Sequence, residues 1–197
     1  MRVEIRWHGR GGQGAVTAAE ILATAAISEG LYAQAFPEFG TERRGAPVVA
    51  YNRIADHPIY AREPILNPDY VVVLDPTLPP SIYMRGLKPS GGIVVNTKKS
   101  PREFVEEIRA AGFQPPAIVA TVDAVDIALK HLRAPIVNTA MLGAFVRVSG
   151  IVRLESVEKA VADRFADRPH IVKPNIDAIR EAYESVRIEK LLEARVG

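Results

Sequence analysis

The pattern of apolar and polar positions along residues 1–36 predicts a strand, a helix and a second strand. Residues 3–7, "VEIRW", alternate apolar and polar side chains, as a strand does. Residues 15–29 carry apolar side chains at helical spacing, and Gly30 follows as a C-cap. "LYAQAF" at 31–36 predicts the second strand. The unit has about the length that a parallel crossover requires.

From residue 37 to about residue 137, the apolar pattern predicts a buried sheet whose strands are separated by helices. Three nearly continuous apolar runs are typical of strands buried on both faces: "YVVVLDPT" (70–77), "GGIVVNT" (91–97) and "PAIVATV" (116–122). Pro101 begins one intervening helix, and Asp123 is expected to cap another. "VVAYNRIA" (48–55) and "PIYARE" (58–63) flank a short turn and predict a hairpin appended to the sheet.

Beyond residue 138 the pattern is helical, with no strand between the helices. We therefore predict a single domain over residues 1–197, in which residues 138–197 form a helical C-terminal part. The fold class predicted is α/β, a Rossmann-like three-layer open sheet that is mostly parallel, with an appended hairpin and C-terminal helices.

Composition narrows the chemistry that this chain can perform. It has no cysteine, which excludes disulfides, a thiolate nucleophile and cysteine-ligated iron–sulfur clusters in this chain. Its 25 basic and 23 acidic residues nearly cancel, so no nucleic-acid partner is expected. No apolar run or leader pattern indicates a membrane partner or export, so we expect a cytoplasmic protein. Only three glutamines among many charged residues indicate a thermophilic host.

A glycine-rich segment between the first strand and helix is the main candidate site. Glycines let backbone N–H groups approach a phosphate, and the following helix presents its positive end. An arginine inside the segment can add bidentate phosphate contacts. A tight turn that only packs the helix against the sheet is the alternative. The candidate residues are Gly9, Arg10, Gly11, Gly12, Gln13 and Gly14.

The remaining polar residues do not favour another familiar site. A dinucleotide site needs an acidic residue about 20 positions on, where Gln34 stands, and the nearest acid is Glu38. No Walker lysine follows the glycines. Asp75 and Asn96 follow predicted strands and are interpreted as turn residues. The four histidines form no metal-binding or catalytic pattern, and no serine has a nucleophile-elbow context.

The segment "FPEFGTERRGAP" at 36–47 alternates aromatic and charged residues. Arginine and aromatic residues are enriched where protein interfaces are anchored, so this composition favours an interface. A solvated loop with weak ion pairs is the alternative.

Two motifs together resemble one family. "IRWHGRGGQGAVTAAEILA" followed by "AFPEFGTERRGAPVVAYNRI" is similar to the gamma subunit of 2-oxoacid:ferredoxin oxidoreductases, especially the pyruvate type. The similarity continues through "NPDYVVVLD", "GGIVVNT", "VDAVDIAL" and "NTAMLGAFVRVSGIV", so it spans nearly the whole chain.

The resemblance implies a non-autonomous subunit of an enzyme of anaerobic metabolism. The complex would oxidatively decarboxylate pyruvate with coenzyme A to acetyl-CoA and CO2 and reduce ferredoxin. Thiamine diphosphate and Mg²⁺ would lie on the alpha and beta subunits, and the iron–sulfur clusters on the delta subunit. The glycine-rich segment would hold a coenzyme A phosphate. Partner contacts would come from Glu38, Phe39, Glu42 and Arg43.

Three alternatives remain open at this point. The first is the same role in a branched-chain, 2-oxoisovalerate-type oxidoreductase. The second is a stand-alone Rossmann-like oxidoreductase that uses NAD(P), and the third is a nucleotide-binding module without a redox role.

Overall fold

The computed structural model describes residues 1–38 and 45–191, which form one seven-stranded sheet with helices on both faces. The strands are β1 (Arg2–Arg10), β2 (Tyr32–Pro37), β3 (Pro47–Ala55), β4 (Tyr70–Val73), β5 (Gly92–Asn96), β6 (Ile118–Val122) and β7 (Arg187–Lys190). The helices are α1 (Ala15–Ser28), α2 (Pro80–Tyr83), α3 (Pro101–Ala110), α4 (Ala124–Leu132), α5 (Asn138–Ser149), α6 (Leu154–Arg164) and α7 (Pro169–Ser185). In these ranges no helix has the length and apolar character needed to cross a membrane.

The sheet order is β2-β3-β1-β4-β5-β6-β7, and its four central strands are parallel. The apolar runs predicted as doubly buried strands are β4, β5 and β6, and nearly all their side chains are buried. This confirms the α/β open sheet with a parallel core. Two apolar clusters cover the two faces, one under α1 and α5 and the other under α3.

The helix boundaries follow the capping signals of the sequence. Ser100 and Glu103 form a reciprocal capping box at the start of α3, followed by a proline. The side chain of Asp123 accepts a hydrogen bond from the N–H of Asp126 at the start of α4. Gly30, with φ of 84°, follows the end of α1 in the left-handed conformation that glycine adopts without strain.

The appended hairpin is present, but its strands are β2 and β3. The prediction that residues 58–63 pair with 48–55 was wrong, because residues 58–63 form no strand. The side-chain amide of Gln34 instead donates to the carbonyls of Ile59 and Ala61, so that segment is held by a side chain rather than a ladder. Strand β3 is antiparallel to both β1 and β2 and lies between them. Consequently β2 runs parallel to β1 without pairing with it.

The expectation of an entirely helical C-terminal part is also corrected. Helix α7 ends at Ser185, and β7 then pairs antiparallel with β6 at the sheet edge. The side chain of Arg187 donates to the carbonyls of Lys98 and Lys99 at 2.9 and 2.7 Å. The reason is that β6 would otherwise present unpaired backbone groups along an exposed edge.

A buried asparagine joins four elements of the first half of the sheet. Asn52, on β3, has no solvent-exposed surface. Its side-chain oxygen accepts from Trp7 Nε1 on β1 at 2.8 Å. Its amide nitrogen donates to the carbonyls of Ala19 on α1 and Gln34 on β2, at 2.9 and 3.0 Å. Because buried polar groups need partners, this one side chain couples the hairpin, β1 and α1.

Replacing Asn52 with leucine tests this coupling. Asn52→Leu keeps a similar volume but leaves the Trp7 N–H and two carbonyls without their partner. We expect the free energy of unfolding to fall by about 3 kcal/mol, since each unsatisfied buried group costs roughly 1–3 kcal/mol. Denaturant unfolding of the purified chain measures the change. Asn67→Leu, at an exposed position, is the matched control, and an equal loss in both variants would contradict a special role for Asn52.

Candidate functional site

The candidate site begins where β1 extends beyond the end of its pairing with the parallel strand β4. Strand β1 pairs with β3 through Arg10, whereas its pairing with β4 stops at His8. Gly9 and Arg10 are therefore strand residues, which corrects the expectation that the turn begins at Gly9. The remaining loop is tied back to the chain before β3, because the N–H of Gly11 donates to the carbonyl of Ala46 at 2.9 Å.

Two of the loop glycines are required by the backbone itself. Gly12 and Gly14 have φ values of 93° and 82°, which lie in the left-handed region that favours glycine. A Cβ at Gly14 would also collide with the side-chain amide of Asn138, at the start of α5. A Cβ at Gly12 would meet no atom within 4 Å. The loop thus packs tightly against α5 at one glycine and opens at the other.

Gln13 joins the loop to the end of β4. Its side-chain oxygen accepts from the backbone N–H of Arg10 at 2.7 Å. Its amide nitrogen donates to the carboxylate of Asp75 at 3.0 Å. The sequence placed Gln13 in the loop without assigning it this bridging role, which depends on the proximity of β4.

The guanidinium of Arg10 is about one-third exposed and already has partners. Its Nε lies 3.2 Å from a carboxylate oxygen of Asp75. Its terminal nitrogens donate to the Thr77 hydroxyl and the Gly45 carbonyl, both at 3.3 Å. Arg10 is therefore held beside Asp75, where its charge balances the negative charge of that carboxylate.

Asp75 forms the Asx-turn that the sequence predicts and has a second role in the site. One carboxylate oxygen accepts from the N–H and the hydroxyl of Thr77, at 2.9 and 2.6 Å. The other oxygen accepts from Gln13 and pairs with Arg10. Burial opposes ionisation, but these hydrogen bonds and the arginine charge outweigh it, so the pKa of Asp75 lies below its usual value. Asp75 is a carboxylate at neutral pH.

Asn96 is a cross-link rather than the turn residue that the sequence predicts. It is the last residue of β5 and is buried. Its amide donates to the carbonyl of Leu74 at 2.9 Å, and its oxygen accepts from the N–H of Ala124 at 3.1 Å. This side chain fixes the end of β4 and the start of α4 in one place.

These elements enclose a cavity of about 400 Å³ at the carboxyl edge of the parallel strands. Its walls are formed by loop residues, the ends of β4 and β5, and the beginnings of α4 and α5. The lining residues include Gly11, Gly12, Gln13, Asp75, Val125 and Val137. The caps of α1 and α5, Gly14 and Val137, have no side-chain hydrogen bond, and neither helix has an acidic residue in its first turn. Two positive helix ends therefore lie close to the cavity, which has a volume typical of a ligand pocket.

The predicted site residues do not all come together. Of the six residues of the glycine segment, Gly11, Gly12 and Gln13 line this cavity, whereas Gly9, Arg10 and Gly14 do not. Glu38 lines a different cavity, with Arg6 and His8 from the other face of β1. Phe39, Glu42 and Arg43 lie outside the described residues. The residues from 1 to 38 and from 45 to 191 contain no group of three histidine, aspartate or glutamate side chains that could hold a metal ion.

The position of β2 also bears on a dinucleotide ligand. In a dinucleotide site the second strand lies directly beside the first. Here β3 lies between β1 and β2, so Gln34 on β2 is one strand further from the glycine loop. Its side chain is engaged with Ile59, Ala61 and Arg53. The acidic residue that would hold a ribose in a dinucleotide site has no counterpart at this strand position.

Comparison with known proteins identifies relatives over nearly the full length. The family described as pyruvate ferredoxin/flavodoxin oxidoreductase matches residues 4–185. The common gamma subunit of pyruvate and ketoisovalerate oxidoreductases from Thermococcus litoralis is 51% identical over 190 residues, covering 96% of this chain and all of that protein. Pyruvate synthase subunit PorC of Methanothermobacter marburgensis is 50% identical over 186 residues, covering 94% and 98% of the two chains.

A solved structure agrees with these relatives. The crystal structure of pyruvate oxidoreductase subunit PORC from Thermotoga maritima has a TM-score of 0.83 and 46% identity, covering 96% of this chain and 99% of that chain. The resemblance carried by the two sequence motifs is therefore confirmed. The chain belongs to the pyruvate ferredoxin/flavodoxin oxidoreductase family.

Proposed function

We propose that this chain is the gamma subunit of a complex that oxidatively decarboxylates pyruvate with coenzyme A, forming acetyl-CoA and CO2 and reducing ferredoxin. Support comes from relatives near 50% identity that are named as gamma or PorC subunits over nearly their full lengths. The absence of cysteine requires that any cysteine-ligated clusters lie on another chain. In this proposal thiamine diphosphate and Mg²⁺ are on the alpha and beta subunits, and the clusters are on the delta subunit.

We propose that the glycine loop binds a phosphate of coenzyme A. The observation that carries this is the cavity where Gly11 and Gly12 lie beside the starts of α1 and α5. Backbone N–H groups and positive helix ends favour a phosphate, and glycines at these positions leave the approach open. Arg10 pairs with Asp75, which lines the cavity, and would add a charged contact, while Gln13 keeps the loop in position.

We propose that the partner chains, and not this chain, select the oxoacid. The Thermococcus litoralis relative is named as a subunit common to pyruvate and ketoisovalerate oxidoreductases, so one gamma chain serves both substrates there. A 2-oxoisovalerate oxidoreductase is therefore the second candidate for this chain, and it is compatible with the same coenzyme A site. Both reactions consume coenzyme A, whereas the reacting carbonyl differs.

Arg10→Ala tests the phosphate site in the assembled complex. We expect the KM for coenzyme A to rise about tenfold or more with little change in the KM for the oxoacid, because a charged hydrogen bond contributes roughly 1.5–3 kcal/mol. Viologen reduction under varied coenzyme A measures this. Arg102→Ala, a variant of a highly exposed arginine on α3, is the control. An unchanged coenzyme A dependence in Arg10→Ala would remove Arg10 from the site.

A double variant separates direct contact from charge balance. In Arg10→Ala the carboxylate of Asp75 loses its cationic partner and would repel a phosphate. Asp75→Asn added to Arg10→Ala removes that repulsion while keeping the side-chain shape. If Arg10 contacts the phosphate, the double variant keeps a raised KM for coenzyme A; if Arg10 only balances Asp75, the KM returns toward the original value.

The second motif is proposed to contact the partner subunits. Glu38 belongs to it within the described chain, and Phe39, Glu42 and Arg43 complete it from the sequence. Arg43→Glu is expected to weaken assembly, because a charge reversal at an interface anchor introduces repulsion. Anaerobic purification of the tagged chain from its host measures the partners that co-elute, with Arg102→Glu as control.

Elution of the unmodified chain alone and without viologen-reducing activity would contradict membership of such a complex.

A further inference from the structure

A second cavity lies on the sheet face opposite α1. The side chains of Ile5 and Trp7 on β1 pack into the core under α1, so Arg6 and His8 point to the other face. There they line a cavity of about 320 Å³ with Glu38, Tyr51 and Arg85. This cavity shares no lining residue with the glycine-loop cavity.

The side chain of His8 is buried without a hydrogen-bond partner. His8 is 3% exposed, and neither ring nitrogen has a partner among the described residues. Burial, and secondarily the charge of Arg6, lower the pKa of His8 to about 3. The ring is therefore neutral at pH 7, with one N–H to donate and one nitrogen to accept. A buried polar side chain in this state needs an explanation that the described protein atoms do not supply.

The guanidinium of Arg6 lacks a counter-charge within contact distance. Its terminal nitrogens donate to the carbonyls of Leu66, Tyr83 and Arg85, at 3.4, 3.2 and 2.5 Å. Its Nε has no partner, and within the described residues no carboxylate lies within 4 Å of the group. Removing such a cation from water without a counter-charge is costly.

Another buried arginine on the same sheet face shows what Arg6 lacks. The side chain of Arg53 is also buried, but its Nε lies 3.1 Å from the Glu4 carboxylate. It also lies over the ring of Phe36, 5.4 Å from the centroid. Within residues 1–38 and 45–191, Arg6 has no carboxylate in contact, whereas Arg53 does.

We propose that Arg6 and His8 form a second binding site, separate from the glycine loop, whose ligand is a carboxylate group. The residues are two apart on one strand, so both side chains lie on one face with Cα atoms roughly 7 Å apart. The unpartnered Nε–H of Arg6 and N–H of His8 are almost fully buried at the cavity wall, so a small movement of these side chains would present two donors to the two oxygens of one carboxylate. Buried arginine with carboxylate is a favoured pairing of this kind.

The charges around the cavity favour a monoanion. Among the described residues that line the cavity, Arg6 and Arg85 contribute two positive charges and Glu38 one negative charge, which leaves one positive charge for the ligand to balance. A phosphate dianion would overcompensate and would meet repulsion from Glu38. The carboxylate can come from a free small molecule or from an acidic side chain of a partner chain, and the pocket chemistry is the same for both.

Acetate is the probe for the full-length isolated chain. Nitrogen NMR of the His8 ring and the Arg6 Nε is followed during titration with acetate at pH 7 and constant ionic strength. We expect saturable shifts of both groups, an affinity about tenfold lower in Arg6→Gln, and no change in Arg102→Gln, a variant of a highly exposed arginine on α3. His8→Phe, which keeps the ring and removes its polar atoms, is expected to weaken the response of Arg6 and provides a second variant if Arg6→Gln does not fold.

The outcomes decide between the sources and the alternatives. If an electron-density map of the assembled complex shows an acidic side chain of another subunit at Arg6, the carboxylate belongs to that subunit. If both the isolated chain and the complex respond to acetate, the ligand is a free small molecule. Absence of saturable shifts in the isolated chain, equal shifts with chloride, or tighter binding of phosphate than acetate overturns the proposal. None of these results bears on coenzyme A dependence, so the two sites are tested independently.

Discussion

Strand β1 pairs with β3 along its whole length but with β4 only from Ile5 to His8, and this difference in its two neighbours positions both candidate sites. Beyond His8, the antiparallel pairing with β3 carries Gly9 and Arg10 past the end of the parallel ladder. The glycine loop therefore begins beside the residues that follow β4, where Gln13 and Asp75 can meet. Asn52 on β3 ties β1, β2 and α1 together through three hydrogen bonds.

The two faces of β1 have different chemistry. One face buries Ile5 and Trp7 under α1, and the ring of Trp7 packs edge-on against Phe145 of α5. The other face buries Arg6 and His8, which an apolar covering layer cannot satisfy. Large apolar side chains thus stabilise the strand from one side, and on the other side Arg6 Nε and the His8 ring are buried without a hydrogen-bond partner among the described residues.

The glycine-loop cavity combines helix ends with a balanced pair of charges. Without Arg10, the buried carboxylate of Asp75 would oppose the binding of an anion beside the loop. With Arg10 at 3.2 Å, the pair is close to neutral, and the positive ends of α1 and α5 lie beside it without an acidic residue in their first turns. This arrangement is consistent with a phosphate-bearing substrate shared among chains of a larger oxidoreductase.

The sequence by itself determined many of the local elements, because their signals come from neighbouring residues: apolar runs for β4 to β6, Pro101 at the start of α3 and the Asp123 cap of α4. It also determined the absence of cysteine ligands and, through two paired motifs, the family. Only the tertiary structure decided that β3 lies between β1 and β2 and that residues 187–190 form an edge strand, since strand pairing depends on contacts between distant segments. The ion pair of Arg10 with Asp75 and the burial of Arg6 and His8 were decided in the same way. An alternating strand pattern specifies two faces, but it does not specify what covers each of them.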